Sequence, residues 1–256
     1  MNLGDLRAAL IDGGVTGPHK SHPRDSNIRK IHALLEGRGD DFGLTGFERY
    51  SVADVLGFMA DLTGCNPSVD RSIDDAIDPE RTLEGILAAA GRLSTLAGRG
   101  GSLLAATGHP TGVLEHYIRI VDAFVHAGGK VARLREEENL STAPGRHSEV
   151  RYIGGVGVLA DWGRLEHTHS AAPMESLLIA GPPPDMVLGD HGFAGAAVAR
   201  GIPTIAIMDI NDHALAIAAA EGKDVTIVPL DDNRPPRAYE PASLLYERVL
   251  GGVGDA

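Results

Sequence analysis

The chain has 256 residues, with 35 acidic against 23 basic side chains and a formal net charge of −12, a length for one large domain or an α/β domain with a helical addition. Hydrophobic residues at 43% and charged residues at 23% exclude general disorder, and the acidity argues against a nucleic-acid partner, whose phosphates demand Lys and Arg. The single cysteine, Cys65, excludes an internal disulfide and any multi-cysteine metal site, and the lack of a long apolar run or basic leader predicts a cytoplasmic protein without a membrane span.

The first hundred residues read as helices. Leu3, Leu6 and Leu10 recur at helical spacing up to Gly13-Gly14, and Ile28, Ile31, Leu34 and Leu35 form a second stripe. Ser51 is placed to cap a third helix carrying Val52, Val55, Leu56, Met59 and Leu62, with Gly64 at its end. Asp78-Pro79-Glu80 opens a fourth, with Leu83, Ile86, Leu87, Ala90 and Leu93 on its apolar face. Gly98-Arg99-Gly100-Gly101 is a flexible joint, so the chain divides into a helical segment, 1–98, packed on a core, 99–256.

Beyond the joint, strands alternate with helices. A buried strand at 102–106 runs into the turn Thr107-Gly108-His109-Pro110-Thr111-Gly112, then a helix with Val113, Tyr117, Ile120, Val121 and Phe124. Residues 130–134 read as a second strand, 136–146 as a polar surface excursion, and 150–160 as a glycine-rich β-like stretch of open pairing. Strands at 185–188, 203–208 and 225–228 alternate with helices at 193–200, 213–220 and 241–250. This is the grammar of an α/β, Rossmann-like, mostly parallel sheet with helices on both faces, preceded by the N-terminal helical segment. Right-handed crossovers align the carboxyl ends of the strands, where such sheets bind ligands.

Those ends carry polar residues four times over: Thr107-Gly108-His109, Asp190-His191, Asp209-Ile210-Asn211-Asp212 and Asp231-Asp232. Each alone is also a helix cap or turn former, and Asp212 stands where a cap would. The TGHPTG turn is an anion-cradle candidate, with close backbone approach at Gly108 and Gly112 and hydroxyls on Thr107 and Thr111. His167 and His169, two apart, face one side of an extended segment beside Ser170, a geometry for sharing either a metal ion or an anionic group. Asp190, Asp209, Asp231 and Asp232 offer oxygen ligands to Mg²⁺ or Mn²⁺. Without a cation, clustered acids repel a phosphate, so a metal, protonated histidines such as His22, or an arginine such as Arg24, Arg234 or Arg237 must offset them. His19, His32, His116, His126 and His147, also among the 11 histidines, have structural or surface roles as the default.

TGHPTG (107–112), HTHSAAPM (167–174), DHGFAG (190–195), DINDHALAIAAAEG (209–222) and VPLDD (228–232) resemble an uncharacterised actinobacterial family labelled simply phosphatase. The likeness extends to His22-Pro23-Arg24-Asp25-Ser26-Asn27, Asp41-Phe42-Gly43-Leu44 and Ala76-Ile77-Asp78-Pro79, so it covers most of the chain. The family pattern has proline where His213 follows the Asn-Asp pair, which bears only on how that helix starts.

The resemblance implies a hydrolase releasing phosphate from a small phosphorylated metabolite, which suits an anion site beside imidazoles and carboxylates. The expected catalytic residues are His109, Asp190, His191 and Asp209; Thr107, Gly108, Thr111, Gly112, His167, His169, Ser170, Asn211 and Arg24 are expected to bind substrate. A strand-end Asp-x-Asp nucleophile is absent from the first strand, which disfavours a phospho-aspartate route. The alternatives are a sugar-phosphate or nucleotide isomerase or lyase on the same frame, and a non-catalytic sensor of a phosphorylated ligand. No nucleic acid or membrane partner is expected, and a homo-oligomer is left open.

Overall fold

The computed structural model describes residues 2–19, 21–133, 139–140, 145–179 and 181–252. Residue 134 of the expected second strand, and 136–138 and 141–144 of the expected excursion, lie outside the described residues.

The N-terminal part holds α1 (Leu3–Asp12), β1 (Gly17–Pro18), α2 (Arg24–Leu35), α3 (Val52–Thr63), β2 (Ala76–Ile77) and α4 (Pro79–Gly98). The caps follow the sequence. Ser51 and Asp54 form a reciprocal capping box on α3, and Gly64 ends it at φ 73°, a left-handed conformation that glycine adopts freely. Asp78 accepts from Glu80 N at 2.9 Å at the start of α4, with Pro79 in the first turn. The β1–β2 antiparallel pair was not among the expected elements; two residues a strand leave no periodicity to read.

The remainder runs β3 (Ser102–Thr107), α5 (Pro110–His126), β4 (Lys130–Val131), β5 (Glu149–Ile153), β6 (Val156–Asp161), β7 (Arg164–Leu165), α6 (Ala172–Ile179), β8 (Met186–Gly189), α7 (His191–Ala199), β9 (Thr204–Met208), α8 (His213–Ala220), β10 (Val225–Pro229) and α9 (Glu240–Leu250). The sheet order is β10-β9-β8-β3-β6-β5. β10, β9, β8, β3 and β6 are parallel neighbours, and β4 pairs with the start of β3. The glycine-rich stretch resolves into an antiparallel β5–β6 hairpin whose two-residue turn places Gly154 and Gly155 at φ 56° and 85°, a turn that demands such residues.

Side chains alternate between two cores. Leu103, Ala105, Leu188, Ile205, Ile207 and Val228 pack with α1, α4, α5 and α9, while Ala206, Met208 and Ile227 pack with α2, α3 and α8. Leu104, Ala106 and Val187 complete the second face against α6 and α7. The fold is therefore α/β, with a largely parallel sheet covered by helices on both faces, and the N-terminal helices contribute to both layers. Connections from β3 go one way to β4 and β6 and the other way to β8, so β3 and β8 flank the point where the winding reverses.

Candidate active site

The ends of β3 and β8 meet over Asp190. Its carboxylate accepts from Thr107 Oγ1 at 2.5 Å, Gly108 N at 2.6 Å and Tyr117 Oη at 3.1 Å. Although Asp190 stands at the N-cap position of α7, it makes no cap bond. Burial raises its pKa, against the pull of His191 and the Thr107 hydrogen bond. The TGHPTG turn thus cradles an anion, but that anion is Asp190: its best donors, at Thr107 and Gly108, already point at this side chain. The two glycines admit close neighbours, since a Cβ on Gly108 would lie 2.2 Å from Thr168 O and one on Gly112 2.2 Å from Asp232 O.

His191 follows at φ 43°, left-handed backbone that is strained for a residue with a side chain. Its Nδ1 lies 3.5 Å from Asp190 Oδ1, and its Nε2 lies 3.2 Å from Asp232 Oδ2 and 3.6 Å from Asp212 Oδ1. Burial opposes its charge, but Asp212, Asp232 and Asp190 outweigh burial and raise its pKa. Asp232 also pairs with His109 Nδ1 at 3.3 Å. Burial alone would raise Asp232, yet the two imidazoles hold it below the ordinary carboxylate range. Asp212 stands at the N-cap position of α8 but its side chain makes no cap bond: one oxygen accepts from Asp209 N at 2.9 Å and the other faces His191. Burial, with Asp232, raises its carboxyl to about 6.

The N-terminal segment closes the cluster from the β10 side. Thr82 Oγ1 meets Thr16 Oγ1 at 3.0 Å and Pro229 O at 2.8 Å, and Asp231 N donates to Val15 O at 2.8 Å, tying Val15 and Thr16 across the end of β10. His19 is thereby inserted between Asp209 and Asp231, at 3.6 and 3.7 Å, and His22 Nε2 lies 3.4 Å from Asp209 Oδ2. Ser21 Oγ reaches both oxygens of Asp231, at 2.8 and 2.7 Å. Burial, then Asp232, Asp231 and Asp212, push Asp209 well above the usual carboxylate range. Burial lowers His19 and takes His22 down to about 4.

The 167–170 loop forms the mouth. Thr168 N donates to Gly108 O at 2.9 Å, holding the loop over β3. The exposed His167 stacks on His109 with centroids 4.5 Å apart, and His169 lies 4.4 Å from the His191 ring while its Nδ1 contacts Asp40 at 2.9 Å. Burial, then the neighbouring imidazoles, lower His167 to about 4.

The structure therefore gathers His109, His167, His169, Asp190, His191, Asp209, Asp231 and Asp232 at one edge of the sheet. Asn211 is buried beside them, its Oδ1 without a partner. Others stand apart. Arg24 donates to Asp75 at 2.5 Å and to the carbonyls of Asn66 and Ser68, so its guanidinium braces a loop instead of facing the crevice. Ser170 Oγ accepts from Ala172 N at 3.2 Å, at the start of α6, and Thr111 is exposed on the first turn of α5.

Sequence reasoning missed His19 and Tyr117 and left Asp212 open between a cap and the strand-end cluster. The available signal for the first was His19-x-x-His22 in a loop bounded by Pro18 and Pro23.

Five carboxylates, Asp190, Asp209, Asp212, Asp231 and Asp232, are at most 2% exposed. No Lys or Arg among the described residues forms an ion pair with them; they face imidazoles, hydroxyls and backbone N–H. Unpaired buried charge is costly, so the cluster calls for protons or a cation. Polar atoms with no hydrogen-bond partner remain on His19, His109, His191, Asp209, Asp212 and Asp232. Two acidic groups, Asp209–Asp231–Asp232 and His191–Asp212–Asp232, have ligand atoms within 4.8 Å of one another, as do His109, His167 and His191; Asp190 belongs to none of the three.

The family model described as Phosphatase matches residues 1–250. Phosphatase SCO2771 of Streptomyces coelicolor is 38% identical over 239 residues, covering 89% of each chain. Both findings bear out the resemblance carried by the motifs.

Proposed function

The chain belongs to the phosphatase family, and on that premise we propose that it hydrolyses phosphomonoesters of small metabolites in the crevice at the strand ends, with a divalent cation. One observation carries the reading: buried carboxylates and imidazoles converge there with their polar atoms unpartnered. Asp209, Asp231 and Asp232 would hold the cation; Asp190, taken up by three donors, would position His191 instead. When bound, the cation supplies Lewis-acid stabilisation of the phosphoryl oxygens and lowers the pKa of water. No helix among the described residues is long and apolar enough to cross a membrane.

The residues divide the proton work. Water attacks phosphorus, the bond from phosphorus to the ester oxygen breaks, and His109, paired through Nδ1 to Asp232, gives its proton to the leaving oxygen. His167, stacked on His109 and without a carboxylate partner among the described residues, is the neutral imidazole that takes a proton from water. His169, held by Asp40 at the mouth, binds a phosphate oxygen. The products are a free hydroxyl compound and inorganic phosphate.

The test is phosphate release across a panel of phosphorylated metabolites, with and without chelator, for the wild type and Asp209→Asn. Release that needs both the cation and Asp209 is expected. Substrate conversion without phosphate release would point to an isomerase or lyase, and thermal stabilisation by a ligand without turnover to a sensor.

A further inference from the structure

His19 is buried like a core residue, with its side chain 1% exposed, yet neither ring nitrogen has a hydrogen-bond partner. It lies between Asp209 Oδ1, 3.6 Å from Nε2, and Asp231 Oδ2, 3.7 Å from Nδ1. His22 Nε2 is 3.4 Å from Asp209 Oδ2, an oxygen that is also unpartnered. A second set lies on the other side of Asp232. His191 Nε2 faces Asp232 Oδ2 at 3.2 Å and Asp212 Oδ1 at 3.6 Å, both oxygens lacking a partner.

These separations are long for charge-assisted hydrogen bonds, which run about 2.7–2.9 Å. At His191, where Nε2 makes both contacts, they suit donor atoms that share an ion: bonds of about 2.1 Å place two donors about 3.0 Å apart at a right angle and about 3.4 Å apart at a tetrahedral one, whereas His19 turns a different nitrogen to each of its carboxylates. His191 also has a carboxylate behind it, since Asp190 Oδ1 is 3.5 Å from Nδ1 and is itself fixed by Thr107, Gly108 and Tyr117. A carboxylate on one ring nitrogen keeps the proton there and turns the lone pair of the other toward a metal.

We propose that the protein holds two divalent transition-metal ions side by side, one on Asp209, Asp231 and Asp232, beside His19 and His22, and one on His191, Asp212 and Asp232. Asp232 is the bridge, because it belongs to both acidic groups of ligand spacing. The proposal deepens the phosphatase reading and rests on it for its chemistry. Paired ions clamp the attacking and leaving oxygens of an in-line displacement. The His191 imidazole favours manganese, iron, cobalt or zinc over magnesium, which prefers oxygen and keeps its waters.

The test strips the protein with chelator, dialyses it against MnCl₂, counts manganese by elemental mass spectrometry and records the electron paramagnetic resonance spectrum. Wild type is expected to bind two manganese ions per chain with an exchange-coupled spectrum. Asp209→Asn, Asp231→Asn and Asp212→Asn are each expected to retain one ion with an uncoupled six-line spectrum; apo melting curves confirm which variants are folded. One ion per wild-type chain, or two coupled ions in every folded variant, overturns the proposal. The two readings fail separately. Two coupled ions without phosphate release from any phosphomonoester uphold the metal pair and remove the phosphatase chemistry. One uncoupled ion with phosphate release does the reverse.

Discussion

Replacing Gly108 by alanine tests whether the mouth of the crevice takes part in the reaction. Gly108 does not have a left-handed φ, so the backbone tolerates a Cβ and only space is at issue. That Cβ would sit 2.2 Å from Thr168 O, 3.2 Å from Asp190 Oδ1 and 3.3 Å from His191 Nδ1. The first contact is with backbone, so the 167–170 loop must withdraw by about 1 Å to restore van der Waals spacing. A displacement of that size in a positioning group costs about 100-fold in rate. Overpacking costs about 1–3 kcal/mol, which lowers Tm by about 2–4 °C per kcal/mol in a chain of this size. Steady-state phosphate release should therefore fall about 100-fold, while the protein stays folded and keeps the cation held by Asp209, Asp231 and Asp232, which the new Cβ does not reach. Wild-type turnover in a folded Gly108→Ala protein would refute the placement of His167 and His169 in the chemistry.

Four further outcomes are expected. His109→Ala should lower kcat about 10²–10⁴-fold, measured as phosphate release, with cation stoichiometry retained. Tyr117→Phe removes one donor from Asp190 and should cost about 1 kcal/mol by denaturant unfolding, with a fall in kcat and little change in KM. Arg24→Met leaves Asp75 buried without its ion-pair partner and should destabilise by about 3–5 kcal/mol; any folded fraction should keep a normal KM, whereas a raised KM would return Arg24 to the substrate. The Asp212 carboxyl is raised in the folded state from 3.8 to about 6, so its protonated form stabilises the fold at low pH, and that contribution, about 3 kcal/mol, disappears as pH rises from 4 through 6. Apo protein should accordingly lose more Tm than Asp212→Asn across that window, and added Mn²⁺ should stabilise the wild type more at pH 7.5 than at pH 5.

The sheet was legible because its strands are short apolar runs punctuated by glycine, and because right-handed crossovers bring their polar ends together. That is enough to collect Asp190, His191, Asp209, Asp231 and Asp232. The donors of Thr107 and Gly108 were misassigned for a physical reason: a turn built to bind a phosphate and one built to bind a buried carboxylate have the same chemistry. Only the fold shows that Asp190, 82 residues from Gly108, occupies the turn. His19 was opaque, and His22 was read only as a compensating charge, because their partners lie far along the chain, and the bonds from Asp231 to Val15 and Ser21 are also non-local. Arg24 looked like a substrate clamp because nothing local reveals Asp75, which claims its guanidinium.

The most direct test of the central claim is hydrolysis in ¹⁸O-labelled water with manganese present, following inorganic phosphate by mass spectrometry. Wild-type protein should place one ¹⁸O in each phosphate released from its preferred metabolite, and the label should fail to appear with Asp209→Asn or after chelation. Turnover that leaves the phosphate ester intact, or labelled phosphate released equally by Asp209→Asn, would contradict it.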